Sequence, residues 1–418
     1  MTKVGLAVHR TFHALRHSRN FRLFFAGQAV SVTGTWVQYV ASSWLVLRLT
    51  GSGVALGVVT ALSFAPVLLF GAWAGVLADR HDKRRILLGT QAAFGVLALA
   101  LWAIVATGVV ELWMVYVLAF LQGSVTSLDT PTRQSFFAEM VGARHLTNAV
   151  SLNSAVMTGT RIVGPALAAL LIAGVGLASC FLVNGVSYIA MIAALLAMRQ
   201  GDLRRTEAPS GRGHLREGLR YVWGTRELRD PLIMMAVVYT LSFNFSVLVP
   251  LLAEKTFQGD VGTFGTLLAA MGIGSFVGAL AMANRGEPSP RRIAGSIVGF
   301  GLMSALAAAA PTLQIELALL VVLGFVSIVF MITANSTMQL TARPEMRGRV
   351  MAIYAIVFLG GTPIGAPFAG LTAEVFGPRW ALALGGVIAV GVGLVGLSVV
   401  RRTRRPAVLE PVELTAAA

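Results

Sequence analysis

Residues 54–85 read VALGVVTALSFAPVLLFGAWAGVLADRHDKRR, and this stretch decides the fold. Val54–Ala78 is a run of 25 positions without a charge, and six of the next seven positions are charged. About 20 mostly apolar residues are enough for a helix to cross the hydrocarbon core of a bilayer. The stretch therefore predicts a membrane-spanning helix that stops against a basic, water-facing loop.

The same alternation recurs along the whole chain. Twelve apolar runs are predicted, near 21–47, 54–78, 86–107, 111–129, 149–174, 178–198, 231–252, 262–284, 292–310, 314–338, 349–375 and 379–400. Their length and lack of polar/apolar alternation favour helices over barrel strands. The composition agrees. Of 418 residues, 56% are hydrophobic and 12% charged, where an ordinary soluble domain carries about 25% charge. Neither a soluble globule nor a disordered chain fits that balance. The basic N-terminal segment is followed by an apolar run too long for a signal peptide, so it reads as a retained span.

The formal net charge is +15, but the bases fall in short gaps between apolar runs. No soluble stretch is long enough for a nucleic-acid surface. With the N-terminus inside, 29 basic residues sort to one side and three, Arg48, Lys255 and Arg379, to the other. Arg161 alone stays within a run. This bias predicts both termini in the cytoplasm of a multi-pass cell-membrane protein. Cys180 is the only cysteine, so no internal disulfide forms.

The longest gap, 199–230, opens with Pro209, Ser210 and Gly211 and continues with Leu215, Leu219, Val222 and Trp223 on one helical face. It predicts a linker carrying an amphipathic helix on the inner leaflet. The expected organisation is a six-helix bundle over 1–198, the linker over 199–230, a second six-helix bundle over 231–400 and a tail over 401–418. The halves echo each other weakly. Arg84-Arg85 and Arg291-Arg292 lie about 207 residues apart, and Gln134 and Gln339 about 205, as parallel repeats would.

Gly75-Val-Leu-Ala-Asp79-Arg80-His81-Asp82-Lys83-Arg84-Arg85 carries the sharpest motif. Glycine permits close helix approach. An aspartate at a helix end can accept bonds from a neighbouring helix N-terminus or pair with arginine. The segment resembles the loop 2–3 signature of the major facilitator superfamily, G-x-x-x-D-R-x-G-R-R, with Asp82 in place of the usual glycine. The resemblance implies that Gly75, Asp79, Arg80 and Arg84 form a conformational latch. Asn20-Phe21-Arg22, Arg161-Ile-Val-Gly164-Pro165 and Arg347-Gly348-Arg349-Val350 resemble the enterobactin-exporter-like branch, which includes siderophore and macrolide exporters. The implied fold is all-α and integral to the membrane, with twelve helices in two pseudo-symmetric bundles around a shared cavity. The implied activity is proton-coupled efflux of a small organic molecule by alternating access.

Gly164-Pro165 resembles part of an antiporter motif of the fifth span, with Ala168 and Ala169 where its final glycines stand. Proline bends a helix and small neighbours let it pack closely; an ordinary kink is the alternative. Gln122-Gly123 resembles the end of R-x-x-Q-G, with Ala119 in the arginine position. Arg161 lies near the middle of a span, where charge costs at least about 3 kcal/mol. It serves either coupling or attraction of an anionic cargo group, or it pins helices through Asp129, Asn153 or backbone carbonyls. Gln28, Ser31, Thr35, Gln38 and Ser42 recur at steps of 3 and 4 on one helical face. Tyr239, Ser242, Asn244 and Ser246 lie in the seventh span. In the superfamily spans 1, 4, 7 and 10 line the cavity, so these residues are expected to line it here; bonding between packed helices is the alternative.

His9, His13 and His17 share a helical face, and an interfacial helix is preferred over a metal site. Gly272-Ile-Gly274-Ser-Phe-Val-Gly278 lacks a preceding strand, so helix packing is preferred over a dinucleotide loop. None of the three lysines, Lys3, Lys83 and Lys255, follows a glycine, so no phosphate-binding ATPase loop is present. No cofactor or metal is expected, and no nucleophile–base pair suggests an enzyme. Asp79, Asp129 and Glu139 fall toward the inner side and Glu111, Glu254, Asp260, Glu316 and Glu374 toward the outer, so a neutral, zwitterionic or anionic cargo is expected. The expected partners are that cargo, protons and lipid, with the chain acting as a monomer. An importer of the same fold and a non-transporting scaffold or receptor are the rival readings.

Overall fold

The computed structural model describes residues 15, 17–142, 145–203, 214–282 and 289–403, and His9 and His13 lie outside that set. Regular structure among the described residues is entirely helical. The first half contains α1 (Arg19–Thr50), α2 (Gly53–Arg80), α3 (Lys83–Ala106), α4 (Leu112–Val141), α5 (Leu146–Gly174) and α6 (Leu177–Leu196). A short amphipathic helix, α7 (His214–Gly224), precedes the second half. That half contains α8 (Arg226–Leu241), α9 (Phe245–Leu251), α10 (Val261–Met282), α11 (Pro290–Ala308), α12 (Leu313–Thr341), α13 (Arg347–Gly360), α14 (Thr362–Phe376) and α15 (Pro378–Thr403).

Ten helical segments among the described residues are long and apolar enough to cross a membrane. Two helices of the expected twelve, α1 and α11, fall outside this group although they pack among the others. The reason lies in their side chains: α1 carries Gln28, Thr35, Gln38 and serines along 32 residues, and α11 is 19 residues long and opens with Arg291-Arg292. Large apolar side chains face outward, with Trp73 83%, Leu170 71% and Trp380 70% exposed. A water-soluble protein would not tolerate so much apolar surface; lipid covers it.

Two spans differ from their expected form. The seventh is interrupted at Ser242–Asn244, because the Asn244 amide donates to the Thr240 carbonyl at 2.8 Å and so competes with the helical ladder. A π-turn, Leu252–Thr256, then extends α9. The eleventh is divided at Gly361, just before Pro363 in the first turn of α14.

Packing repeats between the halves. In the first bundle α2 packs on α4, and α3 on α6 and α4. In the second, α10 packs on α12, and α11 on α15 and α12. Two pairs dominate the contact between the bundles, α2 with α14 and α5 with α10. These pairs interchange when one half is rotated onto the other, so the seam has the same two-fold logic as the bundles.

Candidate functional site

The seam is sealed at one end. Gly53, Gly57 and Gly370 let α2 and α14 approach so closely that a Cβ on Gly370 would lie 2.2 Å from the Gly53 carbonyl oxygen, and one on Gly57 would lie 2.5 Å from that of Ala366. The Glu374 carboxylate spans the same seam. It accepts from Ser52 Oγ at 2.6 Å and from the Val54 backbone N–H at 3.0 Å, at the N-terminus of α2. On the other side of the molecule, a Cβ on Gly265 of α10 would meet the Pro165 carbonyl of α5 at 3.0 Å. The Gly164-Pro165 pair therefore stands at the seam, and Gly164 is also pressed against Trp36 of α1.

At the opposite end the bundles part. Gly75 has open space where a Cβ would point, and Asp79 and Arg80 are exposed. Of the expected latch residues, only Arg84 is engaged: it donates to the Leu195 and Leu196 carbonyls at 2.7 and 3.1 Å, capping α6. Asp82 needs no left-handed turn, because it N-caps α3 by accepting from the Arg85 N–H at 3.0 Å. Asp79, Lys83, Arg84 and Glu139 line a cavity of about 220 Å³ at this end.

The polar stripe of α1 does not line the space between the bundles. Gln28, Ser31 and Gln38 are buried, and their partners lie inside the first bundle. Gln28 donates to Asn153 of α5, and Gln38 donates to Gln122 of α4 at 3.1 Å while accepting from Asn184 of α6 at 2.6 Å. Thr35 meets the Tyr188 hydroxyl at 3.3 Å; Ser42 is half-buried. Polar side chains in lipid satisfy one another across helix interfaces, and that demand turned this face inward. Tyr239, Ser242 and Asn244 are likewise buried, at the break between α8 and α9, while Ser246 is half-buried.

Asp129 is also tied within the bundle. It accepts from Thr90 at 2.7 Å, Gln91 at 2.8 Å and Nε and Nη2 of Arg133, at 3.0 and 2.8 Å. A second buried ion pair, Lys83 to Glu139 at 2.7 Å, joins the start of α3 to the end of α4. Nothing in the spacing of the sequence announced that pair.

The open wall belongs to α5. Thr147, Ser151, Ser154, Thr158 and Arg161 recur at steps of 4, 3, 4 and 3, so they form one stripe. Thr147, Ser151, Ser154 and Arg161 are exposed and Thr158 half-buried. The Ser151, Ser154 and Thr158 hydroxyls donate to carbonyls of their own helix rather than to a neighbour. The stripe runs between the residue that touches α1, Gly164, and those that touch α10, Ile162 and Pro165. It therefore faces the gap between the bundles. The periodicity was present in the sequence, but an equally regular stripe on α1 competed with it.

Arg161 stands at the sealed end of this stripe. Its guanidinium lies 5.4 Å from the Trp36 ring, and Trp36 packs edge-on against Tyr39 at 5.3 Å. Tyr39 in turn faces Ser246 of the second bundle. Among the described residues no group of three or more metal-ligating side chains occurs.

The sequence profile of the transmembrane secretion effector family matches residues 10–412. The staphyloferrin A transporter of Staphylococcus aureus (strain NCTC 8325 / PS 47) is 25% identical over 363 residues, covering 85% of this chain and 90% of that protein. The multidrug efflux pump Tap of Mycobacterium tuberculosis (strain ATCC 25618 / H37Rv) is 30% identical over 364 residues, covering 84% and 86%. Among solved structures, a bacterial homologue of the human lysosomal transporter Spinster, inward-facing and unoccupied, superposes with a TM-score of 0.70 at 14% identity over 91% of this chain and 94% of that one.

Proposed function

We propose, from the premise that this chain belongs to the transmembrane secretion effector family of the major facilitator superfamily, that it is a secondary active transporter exporting a small organic molecule by alternating access. One observation carries the reading: the two bundles are sealed at the Glu374 end and parted at the Asp79 end, with a polar wall of α5 between them. A binding space reachable from one side is one half of a transport cycle.

With both termini in the cytoplasm, the parted end faces inward, and this conformation loads cargo from the cell. Rocking the bundles would seal the Asp79 end and open the Glu374 end. Asp79 is exposed now because its docking surface belongs to the other state, in which α2 and α13 approach at their inner ends. We assign Asp129 and Gln122 to holding the first bundle together rather than to coupling, since each is spent on partners within it. The relative named as a multidrug efflux pump supports the outward direction.

The coupling ion in this reading is the proton, and the chain works as a monomer. A membrane potential of 100 mV supplies about 2.3 kcal/mol per charge moved, enough for roughly a 50-fold gradient before any pH difference. Purified protein in vesicles with an imposed pH gradient tests this against a panel of labelled compounds. Export should follow the proton gradient and vanish when it is collapsed. Flux that ignores the gradient would leave a facilitator.

A further inference from the structure

We propose that Arg161 is the anion subsite of the cavity, and that the cargo carries a carboxylate on a flat aromatic or conjugated frame. This inference rests on the transport reading above and names its substrate class.

The argument begins with unspent donors. A guanidinium offers five N–H donors in a planar fork. Arg161 makes no hydrogen bond to any described residue, and no described carboxylate lies within ion-pair distance. Its close neighbours of note are two aromatic side chains, the face of Trp36 and Tyr39. The helix α5 runs from Leu146 to Gly174, so Arg161 sits near its middle, where charge is most costly.

The other charges deep in the first bundle are treated differently. Arg133 is matched by Asp129, and Lys83 by Glu139. Among the described residues of the first bundle, Arg161 is the mid-span cation left without a carboxylate, and it is exposed to the gap between the bundles. The counter-charge must then come from what enters the gap. A carboxylate fits best, because two of its oxygens meet the fork in parallel.

The surroundings specify the rest of the molecule. Trp36 and Tyr39 present aromatic surface beside the guanidinium, and among the described residues no acidic side chain stands there to repel an anion. A planar ring bearing the carboxylate can stack on this pair while its charge reaches Arg161. The hydroxyls of Ser154 and Thr158, already donating to their own backbone, still accept from bound water. That leaves a wet path for an ion along α5 and no second charge to compete.

The test uses the full chain reconstituted in nanodiscs and three probes of one shape: 1-naphthoate, 1-naphthamide and 1-naphthylmethylammonium, followed by calorimetry. The wild-type protein should bind the carboxylate at least tenfold more tightly than the amide, and the ammonium most weakly. Arg161→Gln should abolish the carboxylate preference, so that carboxylate and amide bind alike, while Arg161→Lys should keep part of the preference. Equal binding of carboxylate and amide by the wild type, or a preference that survives Arg161→Gln, would overturn the subsite. The wild-type comparison stands even if a variant fails to fold. Flux of the same probes through vesicles separates the two readings. Transport without carboxylate preference defeats the subsite alone, whereas absence of flux for every probe defeats transport alone.

Discussion

Replacing Gly370 by alanine should open the Glu374 end of the seam. The new Cβ would stand 2.2 Å from the Gly53 carbonyl oxygen, 2.8 Å from its carbon and 3.2 Å from Val54 Cα. All three are backbone atoms and cannot swing aside, so α2 and α14 must separate by about 1 Å to restore van der Waals contact. Overpacking of this kind costs about 1–3 kcal/mol. The cost falls on the sealed state alone, because the seam is already parted in the other. The population ratio should therefore move by roughly fivefold to more than a hundredfold toward opening at that end. Spin labels at Val109 and Gln258, exposed on loops of the two bundles at that end, in a background with Cys180 replaced by alanine, would report it as a longer distance. Gly75→Ala is the control at the opposite end. No atom lies within 4 Å of its Cβ position, so this conformation accepts it, and any penalty falls on the state in which the Asp79 end closes. An unchanged distance for Gly370→Ala, or equal shifts from both variants, would refute the reasoning.

Two further outcomes follow from the same geometry. Glu374→Gln weakens a charge-assisted cap between the bundles; allowing for its exposure, the loss is about 1 kcal/mol, roughly a fivefold shift toward opening, readable as faster alkylation of a cysteine placed at the exposed Thr50, beside Ser52, in a background with Cys180 replaced by alanine. Asp129→Ala leaves Arg133 buried without its partner, which costs about 3–5 kcal/mol; thermal unfolding in detergent should show a large loss of stability, and full retention would mean that water replaces the carboxylate.

Much of this architecture was legible in the sequence because lipid imposes a simple rule. Long apolar runs and one-sided arginines located the spans, and the basic starts of α3 and α11 revealed the repeat. The rule weakens where a helix is shielded by its neighbours. That is why α1, rich in glutamine, serine and threonine, is apolar enough to propose as a span yet too polar to pass on composition. The breaks at Asn244 and Gly361 arise from a side chain capturing a carbonyl and from a proline two residues after a glycine pair, local events inside uninterrupted apolar runs.

The site was read less well, for a physical reason. Helical periodicity places residues on a common face but does not say what that face meets. The α1 stripe and the α5 stripe have the same spacing, yet the first meets Asn153, Gln122 and Asn184, and the second meets the gap. The distinction depends on which helices are adjacent, and only the packing supplies it. Arg161 stands out because charge is costly in a span, and Gly164-Pro165 because it resembles an antiporter motif; Gly164 packs on Trp36, and Pro165 meets α10. The seal itself was invisible, since Gly57 and Gly370 are ordinary small residues until α2 and α14 are brought together.

The central claim is that the two ends of one seam open in alternation. Distances measured across both ends of the same reconstituted protein, with and without an imposed pH gradient, test it most directly. The account predicts opposite changes: lengthening at the Glu374 end accompanied by shortening at the Asp79 end. Distances that stay fixed at both ends, or that lengthen together, would contradict it.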